Sequence, residues 1–405
     1  MNKTRLLTLL LLACAALHAE VPSRKLAPVL QPYVESQTLA GAVVLVADKD
    51  KVLDVEAVGW QDIAAKKPMA VDSLFWIASQ SKPITGAAFM ILVDEGKVSV
   101  DDPVEKYLPE FKGQMVNIST DPKITELVAP RHPITVREVL SHTSGLDFKS
   151  PMENPTLDQK PLAERVKSYA KMALLFQPGS KSKYSNAGIN TAGRIIEVVS
   201  GMSFEKFLDK RLFKPLGMKD TTFWPSKAQQ ERLAKSYKPV AGGKGLEECT
   251  VAQLQYPLDD PTRQPMPAGG LFSTANDMSL FYRMMANGGT FNGVRILSEK
   301  AVQMATSDQS GEAKSNYGFG FGTDGKSFTH GGAYGTNSRY DLGNKLVTVF
   351  LVQHAGWSGD GKNILPTFQK AATAAFGIQG KASAPTTTIG INSAPASELK
   401  PKTAK

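Results

Sequence analysis

The sequence predicts an α/β chain, α+β in the way its elements segregate: an antiparallel sheet flanked by helices, built from both chain ends around an inserted all-helical domain. Three observations carry this. Strand signals cluster after residue 40 and return after residue 327, while the stretch between reads as helices joined by loops. At 405 residues and 42% hydrophobic, the chain can bury a sizeable core.

Taken in order, Lys25 to Glu35 has apolar residues at Leu26, Leu30, Tyr33 and Val34, a helical spacing interrupted by Pro28 and Pro32. Ala42 to Ala47 is nearly all apolar, Asp48-Lys49-Asp50 is turn-like, and Leu53, Val55 and Ala57 alternate with Asp54 and Glu56, which predicts a strand pair. Thr135-Val136-Arg137-Glu138 is a capping box opening a helix toward Leu140, and Asn190 to Ser200 is helical with Gly201 as its stop. Ser203 to Leu212 and Ala275 to Ala286 are further helices, and the Gly- and Pro-rich stretch Pro239 to Pro267 predicts a long loop. Phe328 to His330, Asn337 to Leu342 and Leu346 to Gln353 read as strands, and Asn363 to Phe376 as a closing helix. The expected division is an α/β domain of 20–78 plus 268–378, with a helical domain of 79–267.

The ends differ from the body. Lys3 and Arg5 precede Leu6 to Leu12 and then small residues up to Ala19, the pattern of an export signal over residues 1–19, too short to span a bilayer. Leu11-Leu12-Ala13-Cys14 also resembles a lipobox, so a lipid anchor at Cys14 stays open beside free periplasmic or secreted release. Cleavage after Ala19 leaves Cys249 as the sole cysteine, hence no internal disulfide. Residues 379–405 form an Ala/Ser/Thr/Pro/Lys tail whose composition predicts disorder. Without the signal the formal charge is +7, of which +3 lies in that tail. No Lys/Arg run with interleaved aromatics suggests nucleic acid, and weak attraction to anionic envelope surfaces is the most the charge supports.

Three segments carry candidate chemistry. Ser79-Gln80-Ser81-Lys82 has the S-x-x-K spacing, which recurs at Ser168, Ser180, Ser203 and Ser397 and proves nothing alone. Ser79 differs in following the apolar Leu74 to Ala78 and opening a helix whose apolar face includes Ile84, Ala87, Ala88, Ile91 and Leu92. One helical turn puts Ser79 and Lys82 on one face, and partial burial at a helix N-terminus lowers an amine's pKa, fitting Lys82 as a base for a Ser79 nucleophile. Tyr184-Ser185-Asn186 sits on a loop before a helix, where cations near the phenol are expected to bring its titration low enough for proton exchange. In His330-Gly331-Gly332-Ala333, glycines at a strand mark close approach of a ligand or backbone, with the Ala333 N–H as an oxyanion donor and His330 holding substrate. His142 reads as a structural hydrogen-bonding residue, and Trp76 and Trp357 as core.

The order S-x-x-K, Y-x-N and then H-x-G in place of K-T-G, at separations of 105 and 146 residues, resembles the class C β-lactamase and penicillin-binding-protein-like serine hydrolases, including the carboxylesterases with a β-lactamase fold. Ser141 to Leu146, Leu216-Gly217-Met218, Pro267 to Leu271 and Tyr317-Gly318-Phe319-Gly320 extend the resemblance over about residues 20–376. It implies a β-lactamase/transpeptidase-like fold and a nucleophilic Ser79 activated by Lys82 and Tyr184. It further implies Asn186 orienting Lys82, oxyanion donors at Ser79 and Ala333 beside Gly331 and Gly332, and no metal or organic cofactor.

Members that bind β-lactams or peptide C-termini usually carry lysine where His330 stands. A mostly neutral imidazole favours neutral esters instead, unless the nearby Arg339 supplies the missing charge. The alternatives are a β-lactamase, a D-Ala-D-Ala-type carboxypeptidase or aminopeptidase with the same acyl-enzyme, and a catalytically silent binding protein. No serine has flanking glycines in the nucleophile-elbow pattern and no HxH or HExxH cluster occurs, which disfavours other hydrolase mechanisms.

Overall fold

The computed structural model describes residues 25–121 and 123–378. The predicted signal, Cys14 and the tail therefore lie outside the described residues. Strands β1 (Gly41–Ala47), β2 (Val52–Asp62), β3 (Lys67–Pro68), β4 (Gly322–Thr323), β5 (Ser327–Gly331), β6 (Asn337–Asp341) and β7 (Leu346–Leu351) form one sheet in the order β4-β5-β6-β7-β1-β2-β3, every neighbouring pair antiparallel. The two chain ends meet where β1 pairs with β7, Val43 opposite Leu351 and Ala47 opposite Val347.

The nearly unbroken apolar run in β1 follows from burial on both faces. Ala42, Val44 and Val46 pack with α1 (Ala27–Glu35) and the C-terminal helix, whereas Val43, Leu45 and Ala47 join the main core with the helix Ala275–Ala286. Helix α1 is anchored by Glu56, whose carboxylate accepts the N–H groups of Lys25, Leu26 and Ala27 at 2.7, 3.0 and 2.9 Å. A carboxylate there complements the helix dipole and satisfies donors that an α-helix leaves unpaired.

Against the inner face lies the helix Ala275–Ala286, and in the helical part α2 (Ser81–Asp94), α3 (Val136–Leu140) and α4 (Leu162–Ala170) each pack on α5 (Asn186–Ser200). Twelve of the fourteen residues of α2 are buried, so it runs through the core as a shared wall of sheet and helices. The Thr135–Glu138 capping box forms as its spelling implies. Helix α5 begins four residues before the expected start, because Ser185 caps it by accepting the Gly188 N–H at 3.0 Å. The stretch expected as a loop from Pro239 to Pro267 contains the strand Leu246–Cys249, paired with Ser236–Pro239. The helix expected over Ser203–Leu212 is Phe204–Leu208 followed by a wider turn, Asp209–Phe213.

Candidate active site

Ser79 does not open α2 as its context suggests; it sits in a tight turn, Ala78–Gln80, immediately before it. Ala78 holds φ of 47°, a left-handed conformation that is costly for a non-glycine residue and turns the following hydroxyl toward the cleft. The turn is over-determined. Ser81 Oγ donates to Ala78 O at 2.7 Å and accepts from Leu271 N–H, and Ile77 N–H donates to Leu271 O at 3.0 Å. Ser79 itself keeps part of its surface open.

Lys82, fully buried, extends to three acceptors. Its Nζ lies 2.7 Å from Asn186 Oδ1, 2.7 Å from Ala268 O and 3.2 Å from Ser79 Oγ. Burial pushes the amine well below its ordinary value. A neutral amine has two N–H bonds, and its two closest partners can here only accept. The lone pair is thereby left for the third direction, toward the Ser79 hydroxyl.

The first residue of α5 supplies Asn186, and the residue before its cap supplies Tyr184. The Tyr184 ring centroid stands 4.5 Å from Lys82 Nζ, 4.6 Å from the His142 ring and 6.2 Å from the His330 ring. The expected lowering of this phenol does not occur. Burial pushes it up, and the hydrogen bond with Ser79 only partly offsets this, so Tyr184 stays a protonated phenol at neutral pH.

His330 also departs from expectation. Its Nδ1–H donates to Gly331 O at 2.6 Å, which leaves Nε2 to accept from the Tyr317 hydroxyl at 2.9 Å. With both ring nitrogens engaged by the protein, His330 is a neutral strut between Tyr317 and the Gly331 carbonyl. Burial and the neighbouring Lys82 push it down to about 3. Nor does Arg339 supply a charge: it pairs in register with Thr329, one residue off His330 and so on the opposite face, beside Asp341 at 3.4 Å.

Beyond His330, Gly331 closes β5 and the chain turns through Gly332 and Ala333, with Gly332 N–H donating to Thr336 O at 2.7 Å. A Cβ at Gly332 would fall 2.2 Å from Thr336 Oγ1 and 2.6 Å from Ile77 O, so only glycine lets this turn close against the Ser79 turn. Among the described residues neither the Ser79 nor the Ala333 N–H has a protein acceptor, leaving two donors for a developing oxyanion. Trp76, 1% exposed, supports both turns from below through Nε1–H to Gly269 O at 2.8 Å and an edge contact with Tyr334.

Sequence reading missed Tyr317 and the Ala268 carbonyl, although both lie in segments it singled out. His142, set apart as structural, accepts the Ser185 N–H at 3.2 Å and also packs on Tyr184.

Three buried histidines give the fold a pH signature. Burial depresses His330 and His354 to about 3 and His142 well below its ordinary value. Above about pH 6.5 the folded and unfolded states are both neutral at these sites. Below it the unfolded chain binds protons the folded chain cannot, so stability falls as pH drops from about 6.5 toward 3. Asp54, raised to about 6 by burial and by Glu56, works in the opposite sense, as do Glu138, Glu153 and Asp277, which burial also raises, and these offset part of the histidine contribution. Urea unfolding at pH 5.5 is expected to show stability lower than at pH 7.5 by about 2 kcal/mol; an equal or higher midpoint at pH 5.5 contradicts the neutral-histidine account.

A family model described as Beta-lactamase matches residues 26–368. Protein Rv1367c of Mycobacterium tuberculosis (strain ATCC 25618 / H37Rv) is 32% identical over 355 residues, covering 78% of this chain and 86% of that protein. Esterase EstB of Burkholderia gladioli is 29% identical over 332 residues, covering 76% and 80%. Among solved structures, EstCE1, described as a hydrolase with promiscuous acyltransferase activity, superposes with a TM-score of 0.71 at 25% identity, covering 85% of this chain and 96% of its own.

Proposed function

Because the chain belongs to the Beta-lactamase family of hydrolases, we propose that it is an exported serine hydrolase cleaving small, neutral carboxylic esters through a Ser79 acyl-enzyme. The observation that carries this reading is the buried Lys82 amine, held by Asn186 and Ala268 with its remaining valence toward Ser79 Oγ at 3.2 Å.

Ser79 Oγ attacks the ester carbonyl carbon while its proton passes to Lys82 Nζ. The carbonyl oxygen takes the negative charge, and the N–H groups of Ser79 and Ala333 receive it, each such donor contributing on the order of 3 kcal/mol to the barrier. The C–O bond to the alcohol then breaks, and the leaving oxygen takes a proton relayed from Lys82 through the Tyr184 hydroxyl. Water adds to the acyl carbon, gives up a proton by the same route, and the acid departs as Ser79 is restored. With its phenol protonated, Tyr184 is a proton relay and not a standing base.

The preference for neutral esters rests on the third segment. His330 is neutral and engaged by Tyr317, Arg339 faces away, and the Lys82 amine, neutral through burial, is already committed to Asn186 and Ala268. A carboxylate-bearing β-lactam or D-peptide finds no full positive charge where such substrates need one. The name of EstB, an esterase, agrees with this choice. Export is supported by the basic and apolar residues of 1–19.

The test offers p-nitrophenyl butyrate, a chromogenic cephalosporin and a D-Ala-D-Ala peptide to the purified protein. The ester is expected to be turned over with kcat/KM at least tenfold above the other two. Dominant cephalosporin or peptide turnover overturns the substrate assignment, and no turnover of any of the three favours a binding protein.

A further inference from the structure

A run of buried polar side chains leads away from the cleft and has one end on the peptide N–H of Ala268, the residue whose carbonyl Lys82 uses. Glu153, Arg165, Tyr169 and Asn190 are each at most 2% exposed, although none of them faces the cleft. The Ala268 N–H, one peptide away from the carbonyl bound to Lys82, donates to Asn190 Oδ1 at 3.1 Å. Asn190 Nδ2 donates to the Tyr169 hydroxyl at 3.0 Å, and Tyr169 donates to Glu153 Oε1 at 2.7 Å. The Arg165 guanidinium stands 3.7 Å from the same carboxylate oxygen.

Polarity along this run is fixed link by link. A peptide N–H can only donate, so Asn190 must present its oxygen to Ala268 and its amide N–H to Tyr169. That obliges Tyr169 to spend its one proton on Glu153, which as a carboxylate can only accept. Each group thus has a single allowed orientation, and buried networks satisfied in this way are rigid. We infer that Asn190 and Tyr169 are positioning residues: they hold the Ala268 carbonyl where it takes one N–H of Lys82 and so aim the amine's lone pair at Ser79. This rests on the reading of Lys82 as the base for Ser79.

Other ties keep the 265–268 segment folded when this one is cut. Thr85 Oγ1 donates to Pro267 O at 2.8 Å and Arg165 donates to Pro265 O. Removing the Tyr169 hydroxyl therefore loosens one carbonyl without releasing the segment. Neither residue approaches the space over Ser79, so substrate affinity has no reason to change.

The test follows phosphonylation of Ser79 by an alkyl fluorophosphonate, in which the Oγ–P bond forms, the P–F bond breaks, fluoride leaves and the Ser79 proton passes to Lys82. Wild type, Tyr169→Phe, Asn190→Leu and the double variant are compared below their unfolding temperatures. The maximal inactivation rate is expected to fall at least tenfold in each single variant, with the reagent's half-saturation concentration within twofold. The double variant is expected to be no slower than the slower single one, because both cut the same tie. Asn190→Asp, which keeps an acceptor for the Ala268 N–H but cannot donate to Tyr169, is expected to recover only part of the rate lost in Asn190→Leu and serves if Tyr169→Phe folds poorly. Phe368→Leu, a core change on the far side of the sheet, is the stability control and is expected to react at the wild-type rate.

Folded variants reacting at the wild-type rate overturn the inference. So does slowing that appears only in half-saturation, multiplies in the double variant, or is matched by Phe368→Leu. An unlabelled wild-type Ser79 instead removes the functional reading on which the inference stands.

Discussion

Ser79→Ala is expected to lower kcat for p-nitrophenyl butyrate by on the order of 10⁴-fold or more, with KM within a few-fold, because removing a nucleophile eliminates the covalent route and leaves only binding and oxyanion stabilisation. Stability should change little. The Ser79 hydroxyl meets Lys82 and Tyr184, not the backbone bonds of its turn, which run through Ser81 and Leu271. Equal hydrolysis by the variant and the wild type contradicts the mechanism, and loss of hydrolysis together with unfolding leaves Ser79 in a structural role.

Lys82→Ala is expected to cost on the order of 10³-fold in kcat, the upper part of what a positioned base supplies. It also strands two buried acceptors, Asn186 Oδ1 and Ala268 O, so a stability loss of about 2 kcal/mol is expected unless water enters the space. That space has the shape of a propylamine chain, and added primary alkylamines should restore part of the rate, more at higher pH where the free amine is abundant. Rescue by amines of suitable length distinguishes a missing base from a collapsed site. A folded Lys82→Ala variant with undiminished kcat removes Lys82 from the mechanism.

Much of the site was legible because its chemistry is spelled in side chains and its context in apolar runs. Ser79 follows Leu74 to Ala78 and precedes an apolar helix face, Asn186 and Tyr184 stand at a helix start, and the Gly331-Gly332 pair marks a close approach. The sheet was legible from the same source, since β1 is buried on both faces and reads as a continuous apolar run.

What escaped depends on long-range proximity. The Ala268 carbonyl is a backbone atom 186 residues from Lys82 and has no letter of its own. Whether Tyr184 titrates low or high turns on a balance between burial and neighbours that only packing decides, and burial prevails. His330 looked free to meet substrate until Tyr317, thirteen residues earlier, occupied its second nitrogen. Arg339 is close in sequence to His330, yet strand alternation and register turn it away.

The central claim is a covalent acyl-enzyme on Ser79, and mass spectrometry of acid-quenched protein tests it most directly. Mixing the enzyme with p-nitrophenyl butyrate, stopping the reaction within the first turnovers and mapping the peptides should reveal a butyryl group on the peptide containing Ser79, absent from Ser79→Ala and released on continued incubation in water. Steady hydrolysis with the butyryl group on another residue would contradict the account.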